Sequence, residues 1–287
     1  MEVSLTHGYV GLQSRHHFLL YHLAIEKVLG TNMMSNLVKL IADCVQPLPH
    51  PSVYIGGGID SAVILHHLRE KSEEKIYTYT FGFKGQPNEF DLARQKADFF
   101  ETKHKAVVIE KLLPKYPTIL RELPFPRFTL WVYWVAEQAH KDGRQTCYVG
   151  EGADEHFGGY WYKPRKSYVE NWVGLFQWGV PTYKAIHDIF NLKIEAPFLK
   201  LDWRETYPYY DYEQHKYFLR KAYKKILPDF ILEQKKRPAT IDFQLFWQNE
   251  LCEYFPNVNP HSNQEIRELW QALATKMWIE EKQVQVI

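Results

Sequence analysis

Cysteine is scarce and scattered. Cys44, Cys147 and Cys252 stand far apart with no Cys-x-x-Cys pair, which argues against a zinc knuckle, an iron–sulfur site and a disulfide scaffold. Cys147 lies in a strand-like run and reads as core. No apolar run is long enough to span a bilayer and no signal peptide is evident, so the expectation is a soluble, cytoplasmic protein with no membrane partner. Neither charge sign dominates: 35 Lys and Arg stand against 34 Asp and Glu, a net charge of +1. No global field therefore draws the chain to nucleic acid. Gly-x-x-x-x-Gly-Lys-Ser/Thr and Gly-x-Gly-x-x-Gly are both missing, which disfavours P-loop kinases and dinucleotide folds. Internal repeats and low-complexity tracts are missing too.

What is present is an ordinary globular balance, 45% hydrophobic and 24% charged over 287 residues, enough for a sizeable core. Aromatics make up 16% and suggest broad aromatic packing in the second half. The most informative stretch is Tyr54-Ile-Gly-Gly-Gly-Ile-Asp-Ser61. Pro51–Ile55 is strand-like and Ala62–Arg69 helix-like, so the glycines sit where a parallel strand hands over to a helix. Glycine lets backbone approach a ligand without a Cβ in the way. The helix start offers unpaired N–H groups that favour phosphate. Ser61 adds a hydroxyl, and Asp60 can hold a magnesium ion bridging phosphate oxygens. ATP is the first ligand this loop suggests; an ordinary glycine-rich βα turn is the plain alternative.

Around it the chain alternates. Ser35 can cap a helix whose buried stripe is Leu37, Val38, Leu40, Ile41 and Val45, after an earlier helical pattern over 16–29. Strands are expected at 52–55, 75–81, 106–109 and 146–149, and helices at 60–70, near 88–102 and at 131–140. That order indicates an α/β domain with a mostly parallel sheet, whose ligands bind beyond the strands' carboxyl ends. From about Pro164 onward, helices rich in aromatic and basic residues are expected. The organisation is thus an N-terminal helical segment at 1–48, a nucleotide-binding core at 49–162 and a helical C-terminal part at 163–287. A second glycine-acid loop, Gly150-Glu-Gly-Ala-Asp-Glu-His-Phe-Gly-Gly-Tyr160, follows the strand at 146–149. One carboxylate there can share magnesium with Asp60, and another can hold an amine or accept a proton. Glu155 is harder to place and could pair with a structural cation.

These residues resemble a known family. Gly56–Ser61 is similar to the Ser-Gly-Gly-x-Asp-Ser signature of PP-loop ATP pyrophosphatases. Gly150–Tyr160 closely resembles the signature of asparagine synthetase B-type synthetase domains, a domain type shared with β-lactam synthetases and lasso-peptide cyclases. Thr102-Lys-His104, Ala196-Pro-Phe-Leu199, and Lys216-Tyr-Phe-Leu-Arg220 with Leu227-Pro228 are smaller echoes, so the resemblance spans roughly 36–245. It implies a PP-loop (adenine nucleotide alpha-hydrolase-like) core. It also implies ATP-dependent adenylation of a carboxylate, release of AMP and pyrophosphate, and amide formation with ammonia or another amine. By resemblance, Gly56, Gly57, Gly58 and Ser61 cradle the phosphates, Asp60 and Asp154 carry Mg2+, and Tyr54, Phe81 and Gly150 face the adenine. Glu151 places substrate or removes a proton, and Lys236, in Lys235-Lys-Arg237, stabilises developing charge. On composition alone, Lys235–Arg237 is a solvated basic loop.

Departures matter as well. Gly56 replaces the signature serine, removing a hydroxyl from the cradle. Glu195 stands where arginine is usual and Lys200 where aspartate is usual. If both line the pocket they can still pair, but aspartate as substrate becomes doubtful. Gln234 replaces an arginine. The glutaminase domain is expected to be missing, since Met1 is followed by Glu2 and fewer than about sixty residues precede the loop. Nitrogen would then come from free ammonia, a separate glutaminase or amidotransferase subunit, or an amine on the substrate. Three other readings stand beside this one. They are an amidoligase or cyclase of a specialised metabolite or peptide, a tRNA-modifying enzyme using Arg220, Lys221, Lys224 and Lys225, and a nucleotide-binding subunit without catalysis. The absence of paired cysteines speaks against the tRNA reading.

Overall fold

In the computed structural model, residues 32–160, 168–211, 215–234 and 241–284 are described. The helical pattern at 16–29 and Lys236 lie outside them. Among the described residues five parallel strands form one sheet in the order β3-β2-β1-β4-β5. They are β1 (Pro51–Tyr54), β2 (Tyr77–Phe83), β3 (Lys103–Ile109), β4 (Thr146–Tyr148) and β5 (Lys193–Glu195). The first four match the expected strands within two or three residues. The fifth was not expected: Lys193-Ile-Glu195 has one apolar residue and no readable alternation, and joins through parallel pairing of Cys147 with Ile194.

The helices α1 (Asn32–Cys44), α2 (Ile59–Lys71), α3 (Phe90–Phe99), α4 (Tyr116–Glu122) and α5 (Val132–Lys141) come before β4. Ser35 lies inside α1 rather than capping it. Of the expected stripe, Leu37, Ile41 and Val45 are fully buried, whereas Val38 and Leu40 are only half-buried. Asn88 lies two residues before α3, its Oδ1 accepting from the Phe90 N–H at 3.0 Å. Beyond β4 come α6 (Ala153–Phe157), α7 (Tyr168–Gly174), α8 (Val180–Ile189), α9 (Trp203–Thr206), α10 (Tyr217–Ala222), α11 (Asp229–Leu232), α12 (Phe243–Phe246) and α13 (Asn263–Val284).

A parallel sheet must be covered on both faces, and alternate strand residues divide between two apolar clusters. Val53 and Tyr148 pack with α1 and α2, while Tyr79 and Cys147 pack with α5, α8 and α13. Much of the aromatic content goes into the second cluster. Fully buried Trp270 is ringed by Tyr116, Phe128, Phe243 and Phe246. No helix among the described residues is long and apolar enough to cross a membrane.

Candidate active site

The strand order makes β1 and β4 neighbours although β2 and β3 separate them in sequence. The chain turns one way from β1 and the other way at β4, and a crevice opens at such a switch point. Both glycine-acid loops leave their strands there. They touch: a Cβ at Gly150 would lie 2.9 Å from the Asp60 Cβ, so only glycine allows this approach. Asp60 stands in the first turn of α2, whose N-cap, Gly58, provides no side-chain cap. A carboxylate is favoured there by the helix dipole.

Asp60 and Asp154 converge on one cation. The Lys216 Nζ donates to both Asp60 oxygens at 2.5 Å and lies 2.5 Å from Asp154 Oδ1. Lys216 reaches them from a strained turn: it has φ 65° and His215 has φ 52°, a left-handed region that costs non-glycine residues about 1–3 kcal/mol each. A Cβ at Gly159 would sit 1.8 Å from Asp154 Oδ1 and 2.6 Å from Lys216 Cε, so that residue must also be glycine. Two hard carboxylate donors aimed at one point suit magnesium, so the residues fit the ion that the resemblance implies. A second gathering of possible metal ligands, His66, His67 and Glu70, lies at the other end of α2. There the His67 Nε2 is hydrogen-bonded to the Tyr223 hydroxyl at 2.6 Å.

Two cavities adjoin these acids and share Tyr54, Gly56 and Tyr183. One, of about 280 Å3, is lined also by Phe81, Glu89 and Val132. The other, of about 200 Å3, is lined by Gly58, Asp60, Ser61, Gly150, Glu151 and Asp154. Tyr54 and Phe81 thus border a nucleobase-sized space, whereas Gly150 borders the acidic one. Gly57 lines neither; its N–H donates to Glu89 Oε2 at 2.9 Å. Glu155 is buried and accepts from the Tyr160 hydroxyl. Burial pushes its carboxyl up to about 7, the nearby Glu151 charge adding to this against the Tyr160 hydrogen bond. Its hydrogen-bond partner is thus the neutral Tyr160 hydroxyl.

Several residues here carry no readable sequence signal. The Tyr183 hydroxyl is hydrogen-bonded to Glu151. Its carbonyl is contacted by His187 Nδ1 at 2.7 Å, and His187 Nε2 meets the Tyr54 hydroxyl at 2.9 Å. A carbonyl only accepts, so Nδ1 carries the proton and Nε2 accepts from Tyr54; burial pushes this imidazole down to about 4, keeping it neutral. This relay fixes α8 against β1. Arg127 lies near Tyr183 and Glu151, and its buried Nε has no hydrogen-bond partner among the described residues. Lys96 lies beneath the first loop, its Nζ on the Gly56 and Gly58 carbonyls. Glu195 and Lys200 do pair, at 2.5 Å, but neither lines either cavity. Lys200 is instead close enough to Cys44, in α1, to act on its thiol.

The family model described as asparagine synthase matches residues 36–207, more than half of the chain. The chain belongs to the asparagine synthase family. Among its relatives is a protein of Methanocaldococcus jannaschii whose name places it with glutamine-hydrolysing asparagine synthetases. It is 33% identical over 133 residues, 42% of this chain and 25% of the relative. Amidase chry2 of Gibberella zeae is 32% identical over 38% of this chain and 19% of its own. Glutamine-hydrolysing asparagine synthetase 3 of Arabidopsis thaliana is 30% identical over 38% of this chain and 22% of its own. The chain thus spans about a quarter or less of these relatives' lengths.

Proposed function

We propose that this chain is an ATP-dependent amide-bond-forming ligase that activates a carboxylate as its acyl-adenylate. The observation that carries this reading is the meeting of Asp60 and Asp154 on one cation beside a nucleobase-sized cavity. Adenine is read into the cavity bordered by Tyr54 and Phe81, and the triphosphate over the Gly56–Ser61 turn toward Gly150. Asp60 and Asp154 would hold magnesium, whose charge would offset that of the phosphates.

The carboxylate oxygen of the substrate attacks the α-phosphorus and pyrophosphate leaves. Ammonia or another amine then attacks the acyl carbon, and AMP departs. Glu151 is suited to take the proton from that amine, with the Tyr183 hydroxyl holding it in place. Arg127 offers a cation for a substrate carboxylate on the same side of the cleft. Lys236 is assigned to the charge that develops on phosphate and tetrahedral intermediate. Earlier in the chain, Arg220 donates to the carbonyls of Leu232 and Gln234. The nitrogen source in this reading is ammonia, free or delivered by a glutaminase partner, or an external amine.

The test is pyrophosphate release from ATP across a panel of carboxylic acids with magnesium and ammonium. AMP as co-product supports adenylation; ADP would mean phosphoryl transfer and refute it. Asp60→Ala and Lys236→Ala should each abolish release, with ATP binding largely kept in the lysine variant. Full activity in either variant overturns that residue's role.

A further inference from the structure

Lys96, on α3, is fully buried. Its Nζ donates to the carbonyls of Gly56 and Gly58, each at 2.5 Å, and to Ser61 Oγ at 3.2 Å. An ammonium has three N–H bonds, and these three acceptors use them all. Burying such a charge is strongly unfavourable unless it is compensated. The charged groups acting on it are Glu89 and Asp60, and burial outweighs both, pushing Lys96 down to about 8. A neutral amide or a water could satisfy the same carbonyls at less cost to folding. A lysine kept here therefore points to a use for its charge.

Geometry indicates the use. The C=O and N–H of one planar peptide point opposite ways. With the Gly56 and Gly58 carbonyls drawn down to Lys96, the following N–H groups of Gly57 and Ile59 turn away from it. The Gly57 N–H already meets an anion, Glu89 Oε2 at 2.9 Å. Position 56 cannot add a side-chain donor without disturbing that anion, because a Cβ there would lie 2.6 Å from Glu89 Oε2.

We propose that Lys96 is a positioning residue of the nucleotide site, a buried cation that holds the glycine turn open to a triphosphate. From beneath, it supplies the positive potential that glycine at position 56 cannot. This rests on ATP being the ligand of that turn.

Titration of the protein with ATP, pyrophosphate and adenosine in the presence of magnesium tests it, comparing wild type with Lys96→Gln and Lys96→Met. Glutamine keeps amide donors but not the charge. Both variants should lose roughly tenfold or more in affinity for ATP and pyrophosphate, with adenosine changed by less than about twofold. In the wild type, ATP affinity should fall from about pH 7 to about pH 9.5 as Lys96 loses its proton, with adenosine flat. Unchanged ATP affinity in Lys96→Gln, or equal losses for ATP and adenosine, would overturn the proposal. If neither variant folds, the wild-type profile decides, and a flat ATP curve overturns it. A wild type that binds adenosine but neither ATP nor pyrophosphate refutes the ligase reading itself and this assignment with it.

Discussion

Replacing Lys216 by methionine removes the cation on which Asp60 and Asp154 converge and leaves a side chain of similar length. Because oxygens of both carboxylates lie 2.5 Å from the Nζ, the two groups stand no more than about 5 Å apart at their nearest oxygens. Two unit charges about 5 Å apart repel by roughly 3 kcal/mol at an effective dielectric constant of about 20. Water screens little of this, since Lys216 is 4% exposed and the two aspartates 18% and 14%. Methionine tolerates the left-handed backbone no worse than lysine, so strain cancels between the two proteins. Denaturant melts in a chelator should therefore show Lys216→Met less stable by roughly 3 kcal/mol. Acid should erase the difference, because protonating either carboxyl ends the repulsion. Magnesium should restore the variant far more than the wild type, by about 2.7 kcal/mol at about one hundred times its Kd. A variant as stable as wild type in chelator and indifferent to magnesium would refute the reasoning, showing that the acids do not share one cation's field.

Gly56→Ser should displace the end of the Glu89 side chain and break its bond to the Gly57 N–H, costing about 1 kcal/mol. In a Glu89→Ala background the same substitution should cost almost nothing, and additive losses in the double-mutant cycle would contradict the contact. Gly159→Ala forces Asp154 and Lys216 apart and should destabilise by about 1–3 kcal/mol while removing magnesium-dependent stabilisation; calorimetry with and without magnesium checks both. Glu155 has its folded-state value raised to about 7 from 4.5, so the folded protein binds more protons between those values and its stability falls as pH rises through that window. Glu155→Gln should flatten this fall and be the more stable protein at pH 8, by up to about 3 kcal/mol; parallel pH–stability curves would refute it.

The two loops were legible because their signals are local: glycines, an acid and a hydroxyl at a strand-to-helix change can be read from a dozen residues. Their convergence was legible as well, since loops at the carboxyl ends of a parallel sheet share one edge. What escaped notice was decided by tertiary structure. Lys193–Glu195 becomes a strand only because β4 offers a free edge. Lys96 follows Arg94 and Gln95 and looks like the solvated side of a helix, yet α3 turns it under the loop. Lys216 was visible only as part of a Lys-x-x-Leu-Arg echo, and nothing near it shows that a left-handed turn carries it to two aspartates 156 residues away or fewer. The Glu195 and Lys200 exchange attracted attention as a change in specificity. In the structure Glu195 is held by both Lys193 and Lys200 and lines neither cavity, whereas Glu151 and Tyr183 border the acidic one.

These placements share one electrostatic pattern. The Gly57 N–H, oriented for an anion, donates to the Glu89 carboxylate, and the acids oriented for a cation hold the Lys216 ammonium. The chain thus balances its cleft with its own side chains, one carboxylate against the turn and one ammonium between the acids. Binding a magnesium–triphosphate would then be an exchange of like for like, phosphate for Glu89 and metal for Lys216. Each displaced charge is replaced by one of the same sign, so neither two unbalanced aspartates nor an unbalanced turn has to persist. It also couples the two events: Glu89 released from the turn lies near Lys96, and Lys216 released from the acids carries its charge to the same cleft. Magnesium and triphosphate should accordingly bind with positive cooperativity in the wild type. Lys216→Met, which no longer requires the metal to displace an ammonium, should lose part of that coupling. Independent binding of the two in the wild type, measured by titrating each at saturating and zero concentrations of the other, would rule out the exchange.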